Sequence, residues 1–272
     1  MQNIKAFKRT DILKNKTIWV IELENNFQNE YTLLLSKVSE ALSPNIKNNH
    51  IGEGGTFQDI LEKQKGIKFI INGGFNHYRK NFYDWKNQSF HIGDPVGLIK
   101  IREHYFEDYL NIEQYGFFVQ ERKQESWKIV KYHQLKKNEK YILGCTPLLI
   151  YDNNPQKLSK ILMKPMPNGK INPPSVLGHG LQKHARTAVG IKENSIYFVI
   201  VECIKEDDGC TLEELQTIGL KLKLEYFLNL DGGGSSQFLL REKNDWLKNN
   251  ILLEDKNRIL GNVIILFDEK LK

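Results

Sequence analysis

The stretch Tyr226-Phe227-Leu228-Asn229-Leu230-Asp231-Gly232-Gly233-Gly234-Ser235-Ser236-Gln237 decides how this chain is read. Its first five residues are mostly bulky and apolar, the composition of a buried strand, and that strand must stop where the glycines begin. Successive glycines reach backbone angles that other residues avoid, and without Cβ atoms they let a ligand approach the main chain. The amides of Gly232, Gly233 and Gly234, with the hydroxyls of Ser235 and Ser236 behind them, make a candidate nest for anionic or hydroxyl-rich groups. Asp231 stands at the hinge, where a strand end hands a carboxylate to solvent, and is the candidate catalytic acid or base. A glycine-rich hairpin with a turn aspartate carries the same residues, and the motif alone does not separate the two.

Upstream of this strand, Thr211-Leu212-Glu213-Glu214 has the spacing of a capping box, and Leu212, Leu215, Ile218 and Leu222 follow at helical spacing. An earlier segment has the same order of parts. Thr56 is a candidate N-cap with Asp59 three residues on, for a helix to about Lys65 that Gly66 stops. Ile67–Ile71 then reads as a buried strand running into Asn72-Gly73-Gly74-Phe75-Asn76-His77. Two helix–strand–glycine-loop units say more together than either does alone. Between them lies a β-rich middle, with strands expected at Pro95–Ile101, Tyr115–Gln120, Trp127–Tyr132 and Tyr141–Tyr151. Asp84–Ser89 and Glu103–Asn111 read as loops or a short helix. Asp152–Ser175, with five of the eight prolines, reads as a long surface loop or flap. Further strands are expected at Thr17–Leu23, Tyr31–Leu35 and Arg258–Phe267, and Thr187–Ile191 with Ser195–Val201 forms a hairpin-like pair.

Several side chains near these strand ends carry chemistry. Arg186, at a strand start beside Thr187, suits a phosphate or carboxylate, although it equally suits a structural ion pair. His184 is placed to move a proton or to hydrogen-bond within its loop, and His179 with His184 is too small a set for a metal site, so no metal is expected. Glu202 ends the run Ile196–Val201 and is the candidate second carboxylate to accompany Asp231, as hydrolysis of an acetal requires; a solvated strand-end glutamate reads the same way. Asn72 suits sugar hydroxyls or a cap on its own turn. Phe75, Tyr78 and Trp85 suit stacking on a sugar face or burial in a core.

Composition narrows the classes. At 272 residues with 40% apolar content the chain is long enough for a substantial core, and no composition break divides it, so one domain over residues 1–272 is expected. The net charge of +6 comes from scattered lysines without a basic, aromatic-interleaved block, which argues against nucleic-acid binding. Three cysteines without CxxC spacing argue against structural zinc and a disulfide framework. The longest apolar runs are too short to span a membrane, and the first ten residues hold no apolar signal region, so a cytoplasmic protein is expected, with signal-independent export left open. No cofactor is expected.

The ordered blocks Ile71-Asn72-Gly73-Gly74-Phe75, Gly144-Cys145-Thr146-Pro147-Leu148-Leu149, His184-Ala185-Arg186-Thr187-Ala188-Val189-Gly190, Gly209-Cys210-Thr211-Leu212 and Asn229-Leu230-Asp231-Gly232-Gly233-Gly234-Ser235-Ser236 together resemble the phosphodiester glycosidase (NAGPA-type) family over roughly residues 66–267. The resemblance implies an α+β fold of mixed, largely antiparallel sheets flanked by a few helices. It implies cleavage of a sugar C1–O bond in a glycosyl-1-phosphodiester or a related sugar-phosphate or nucleotide-sugar. By position it implies a site lined by Asn72, Gly73, Gly74, Phe75, Arg186, Thr187, Asn229 and Gly232–Ser236, with Asp231, Glu202 and His184 as the acid–base candidates. The chain departs from the family at Ala185, where a proline is usual, and at Glu202-Cys203, where Asp-Gly is common. Two other readings fit the same pocket: a binding protein that sequesters a glycosyl phosphate or nucleotide-like ligand, and a glycosidase acting on a non-phosphorylated glycan.

Overall fold

The computed structural model describes residues 3–38, 55–76, 96–107, 116–122, 126–158, 180–205, 208–243, 245–249 and 258–268. In chain order its strands begin with β1 (Ile4–Arg9), β2 (Ile18–Leu23), β3 (Tyr31–Lys37), β4 (Ile67–Asn72), β5 (Leu98–Ile101), β6 (His104–Glu107), β7 (Gly116–Glu121) and β8 (Trp127–Lys131). They continue with β9 (Glu139–Cys145), β10 (Leu148–Tyr151), β11 (Asn154–Pro155), β12 (Arg186–Lys192), β13 (Ser195–Val201), β14 (Tyr226–Asn229), β15 (Phe238–Glu242), β16 (Asp245–Lys248) and β17 (Asn262–Asp268). Helices run over Phe57–Lys63 and Leu212–Lys221. Both open on the expected capping boxes: Thr56 accepts from the Asp59 amide and Thr211 from the Glu214 amide, while each acidic partner reaches back to the cap amide.

Three antiparallel sheets form, in the orders β1-β2-β13-β12-β14-β10-β11, β16-β15-β4-β17-β3 and β6-β5-β9-β7-β8. The α+β, largely antiparallel architecture is therefore the one the sequence implies. The expected hairpin is β12–β13, closed by Glu193 and Asn194 with φ of 49° and 66°, the left-handed pair that matches strand twist. One apolar cluster is shared by all three sheets: Phe69 of β4 lies 5.3 Å from Phe198 of β13, Trp19 of β2 lies 5.5 Å edge-on to Phe238 of β15, and Phe118 of β7 stacks on Trp127 at 4.4 Å.

Some expectations change. Tyr141–Tyr151 is not one strand: the cis Thr146–Pro147 peptide divides it into β9 and β10, which belong to different sheets. His104–Glu107, expected as loop or helix, is the edge strand β6, and the expected strand at Arg258–Phe267 begins only at Asn262. Of the expected surface loop 152–175, residues up to Leu158 are described and include the short β11. Tyr78, Trp85, the Asp84–Ser89 segment and His179 lie outside the described residues.

Register places the site. Arg186 pairs with Val201 and Ala188 with Asn229, so β12 begins where β13 and β14 end. In the second sheet Phe238 pairs with Ile71 and Val263 with Asn72, so β15 and β17 begin where β4 ends. In the third, Gly116 faces Cys145 at the end of β9. These three sheet ends meet at Asp231.

Candidate active site

Asp231 is the crossing point between two sheets. The chain reaches it from β14 of the first sheet and leaves toward β15 of the second. Its main chain is held by the second sheet: the Asp231 N–H donates to the Gly73 carbonyl at 3.2 Å, and Asn72 Nδ2 donates to the Asp231 carbonyl at 2.8 Å. Its carboxylate accepts from the Gly232 N–H at 2.9 Å and is hydrogen-bonded by the Ser235 side chain. Burial raises its pKa to about 6, against the partial opposition of Ser235, the positive charge of Arg258 and the Gly232 amide. Residues 231–234 are nonetheless half-buried, whereas 235–238 are fully buried. The loop thus leaves residues 231–234 partly exposed while it buries its serines and the Asp231 carboxyl itself.

Asn72 is a positioning residue. Only 1% of its surface is exposed, and its side chain is used in place: Nδ2 on the Asp231 carbonyl, Oδ1 accepting from Thr187 Oγ1 at 2.9 Å and from the Gln237 N–H at 3.2 Å. Asn72, expected to suit sugar hydroxyls or to cap its own turn, and Thr187, expected to line the site, are both buried and hydrogen-bonded to each other. Two amides of the expected nest, those of Gly232 and Gly233, are likewise used internally. The Gly232 N–H goes to Asp231, the Gly233 N–H to the Ala185 carbonyl at 2.8 Å, and the Ser235 and Ser236 amides close a 3-10 turn onto Gly232 and Gly233. Gly233 takes a φ of +60°, which the turn needs and a Cβ would strain.

The loop opposite is Gly73–Gly74. Asn262, at the start of β17, clamps it: Oδ1 accepts from the Gly74 N–H at 2.7 Å and Nδ2 donates to the Gly74 carbonyl at 3.2 Å. A Cβ on Gly73 would fall 2.1 Å from Asn262 Oδ1, so the clamp requires glycine there. Beneath Gly74 lies Cys145. Burial, with the Asp231 charge adding to it, pushes this thiol far above its ordinary range and keeps it neutral. Phe75 is half-buried beside it and packs against the shared apolar core. Asn229 donates to the Thr146 carbonyl at 2.8 Å, while its Oδ1 and the Ser236 hydroxyl are buried with no protein partner.

The remaining expected residues sit around this centre in other roles. Arg186 is 6% exposed, with Nε donating to the Cys210 carbonyl at 3.0 Å and Nη2 to the Gln182 carbonyl at 2.9 Å. Glu202 does end β13 at the same sheet end, but it is 3% exposed and accepts from Trp19 Nε1 at 2.7 Å, so it braces the inter-sheet core and does not present a second carboxylate to solvent. His184 pairs through its main chain with Cys210, and its Nε2 lies 3.1 Å from Gln182 Oε1. Sequence reading did not find Arg258, Asn262 or Cys145 as members of the site. Asn262 left one signal, a polar residue heading an apolar strand. Among the described residues no group of three His, Cys, Asp or Glu side chains is arranged to hold a metal ion.

A buried carboxyl with a raised pKa, set among glycines where antiparallel sheets converge, is a candidate for proton chemistry. The chain belongs to the phosphodiester glycosidase family, whose model matches residues 65–267. Among solved structures it is similar to the zebrafish N-acetylglucosamine-1-phosphodiester alpha-N-acetylglucosaminidase catalytic domain auto-inhibited by its pro-peptide, with a TM-score of 0.61, 15% identity, and coverage of 98% of this chain and 83% of that one. It is also similar to a hypothetical protein from Synechocystis, with a TM-score of 0.57, 12% identity, and coverage of 98% of this chain and 61% of that one. No curated protein matches the sequence. No described helix is long and apolar enough to cross a membrane.

Proposed function

We propose that this protein hydrolyses the sugar C1–O bond of a glycosyl-1-phosphodiester or a related sugar-phosphate or nucleotide-sugar, with Asp231 as the reacting carboxyl. The observation that carries the reading is Asp231 itself: at the meeting of the sheets, fixed through its own main chain, with its carboxyl held at a pKa of about 6 by burial. A carboxyl with that pKa is mostly ionised at neutral pH, yet roughly a tenth stays protonated, so it can take and return a proton at little cost. In the reaction the bond from C1 to the bridging oxygen breaks and the oxygen of water bonds to C1. The leaving oxygen departs on the phosphomonoester, and the proton lost by water is carried away through Asp231. Gly233 gives the turn beside the carboxyl its positive φ. Ser235 holds its orientation, and Asn72, Thr187 and Asn262 hold the backbone that bears it.

The test is turnover in H2-18O with a panel of sugar-1-phosphodiesters and nucleotide-sugars, read by mass spectrometry, using wild type and Asp231→Asn. Labelled free sugar from wild type alone, with unlabelled phosphomonoester, is the expected result. Label in the phosphate would mean P–O cleavage and would sink the reading, as would near-normal turnover by Asp231→Asn. Ligand recovered intact from both proteins would favour sequestration.

A further inference from the structure

The β15–β16 ladder ends at the pair Leu239–Lys248, and the Asp231 loop returns into β15 just beyond it. Two buried main-chain groups of that return, the Ser236 carbonyl and the Phe238 N–H, lie past the last ladder pair. Asn249, which continues the register opposite Phe238, takes both with its side chain. Its Nδ2 donates to the Ser236 carbonyl at 2.8 Å, and its Oδ1 accepts from the Phe238 N–H at 3.0 Å. A carboxamide carries a carbonyl acceptor and N–H donors, as a peptide group does, so this buried side chain stands in for one more peptide of β16. On the opposite edge Asn72 takes the main-chain groups of Gln237. Its N–H donates to the Gln237 carbonyl at 3.2 Å, and its Oδ1 accepts from the Gln237 N–H at 3.2 Å. Residues 236–238 are thus gripped along both edges.

That grip reaches the carboxyl through the turn before it. The Ser235 and Ser236 amides hold the Gly232 and Gly233 carbonyls at 3.3 and 3.1 Å, and the Gly232 N–H is the one that Asp231 Oδ1 accepts at 2.9 Å. Three successive glycines supply little stiffness of their own, so the aim of the Gly232 amide depends on what holds the two limbs of the turn. The first limb is held by Asn72 Nδ2 on the Asp231 carbonyl and by the Ala185 carbonyl on the Gly233 N–H. The second is held at Ser236 by Asn249. We infer that Asn249 is a positioning residue of the site: through the glycine turn it aims the Gly232 amide at the Asp231 carboxylate, and so fixes the direction that carboxylate presents to substrate. The inference rests on the reading of Asp231 as the reacting carboxyl and deepens it. The Gly232 amide favours the charged form of the carboxyl, and the Ser235 hydroxyl on the same turn acts in the same direction, so loosening the turn raises the Asp231 pKa further. Opening the loop to water would act the other way, because burial is what raises that pKa. The Arg258 charge and the Cys145 thiol, which also bear on Asp231, belong to other parts of the chain. The sign of the change therefore separates positioning from mere loosening.

An NMR titration of the full chain, labelled at the aspartate side-chain carboxyls and assigned with Asp231→Asn, tests this without turnover. Asn249→Ala is expected to raise the Asp231 midpoint by about half to one pH unit, the size of one weakened hydrogen bond. A midpoint that stays or falls would overturn the inference; with a lower Tm, that is the signature of a residue serving the fold alone. If Asn249→Ala does not fold by circular dichroism, Asn249→Gln, which keeps the amide but moves it by one methylene, is read for the same sign. On a substrate with measurable turnover, Asn249→Ala should lower kcat roughly three- to tenfold with KM little changed, since it misaims the reacting group and spares binding. A raised KM at unchanged kcat would count against the inference just as firmly. A midpoint that rises as expected in a protein that hydrolyses no glycosyl phosphodiester would leave Asn249 in its role and remove the glycosidase reading instead.

Discussion

Ionising Asp231 works against the folded state. Holding a carboxyl near 6 instead of its ordinary 3.8 costs about 3 kcal/mol once it is charged. The sign follows from proton uptake. The folded state binds the proton more tightly, so the stability this brings is fully present below about pH 4 and is lost as pH rises through about 6. Asp231→Asn, which keeps an acceptor for the Gly232 N–H, should therefore raise Tm relative to wild type at pH 7.5 and give no gain at pH 4; a gain at pH 4 equal to that at pH 7.5 would disprove the linkage. At this scale the sequence is readable where a residue acts through its own local motif. Asp231 announces itself because a strand end and three glycines surround it. Asn72 and Glu202 mislead because nothing local says whether a buried polar group faces a ligand or another strand. Their partners, Thr187 and Trp19, are 115 and 183 residues away. Arg258 gives no local signal, since the Asp231 carboxylate on which its charge acts belongs to a different loop of the chain.

Among the elements, β17 holds the site most directly, because Asn262 satisfies both main-chain groups of Gly74. Asn262→Ala leaves those buried groups without partners, at a cost of about 1–3 kcal/mol in a urea titration. It should also reduce turnover at least tenfold, since Gly73 carries the Asp231 amide. Loss of stability without loss of turnover would show that the clamp serves the fold alone. The helices and buried strands are legible from sequence because their signals are local: capping boxes at Thr56 and Thr211, apolar runs at Ile67–Ile71 and Ser195–Val201. The exposed edge strands β1 and β6 are not. β6 exposes His104 and Tyr105, and β1 alternates without a strongly apolar face. The break inside Tyr141–Tyr151 is hidden for another reason: both halves are buried and apolar, and their assignment to different sheets is a matter of packing.

Across the whole molecule, one shared core couples the three sheets. Phe69 lies at its middle, fully buried, with Phe198 of the first sheet at 5.3 Å and Phe238 of its own at 6.4 Å. Phe69→Ala should cost about 3–5 kcal/mol, read as a lower urea midpoint. A cost under about 1 kcal/mol would mean that the sheets pack independently of it. The class of fold is legible at this scale through the family resemblance that the ordered blocks carry, whereas which sheet takes each strand depends on contacts too distant for any pattern to record. Asp231 belongs to one sheet by covalent connection and to another by hydrogen bonds. Its acidity is consequently a gauge of the seam between them. If the sheets part by even the length of a hydrogen bond, water reaches the carboxyl and its proton affinity relaxes toward that of a free aspartate. Such a protein would lose its chemistry to a small parting of that seam well before its strands came undone.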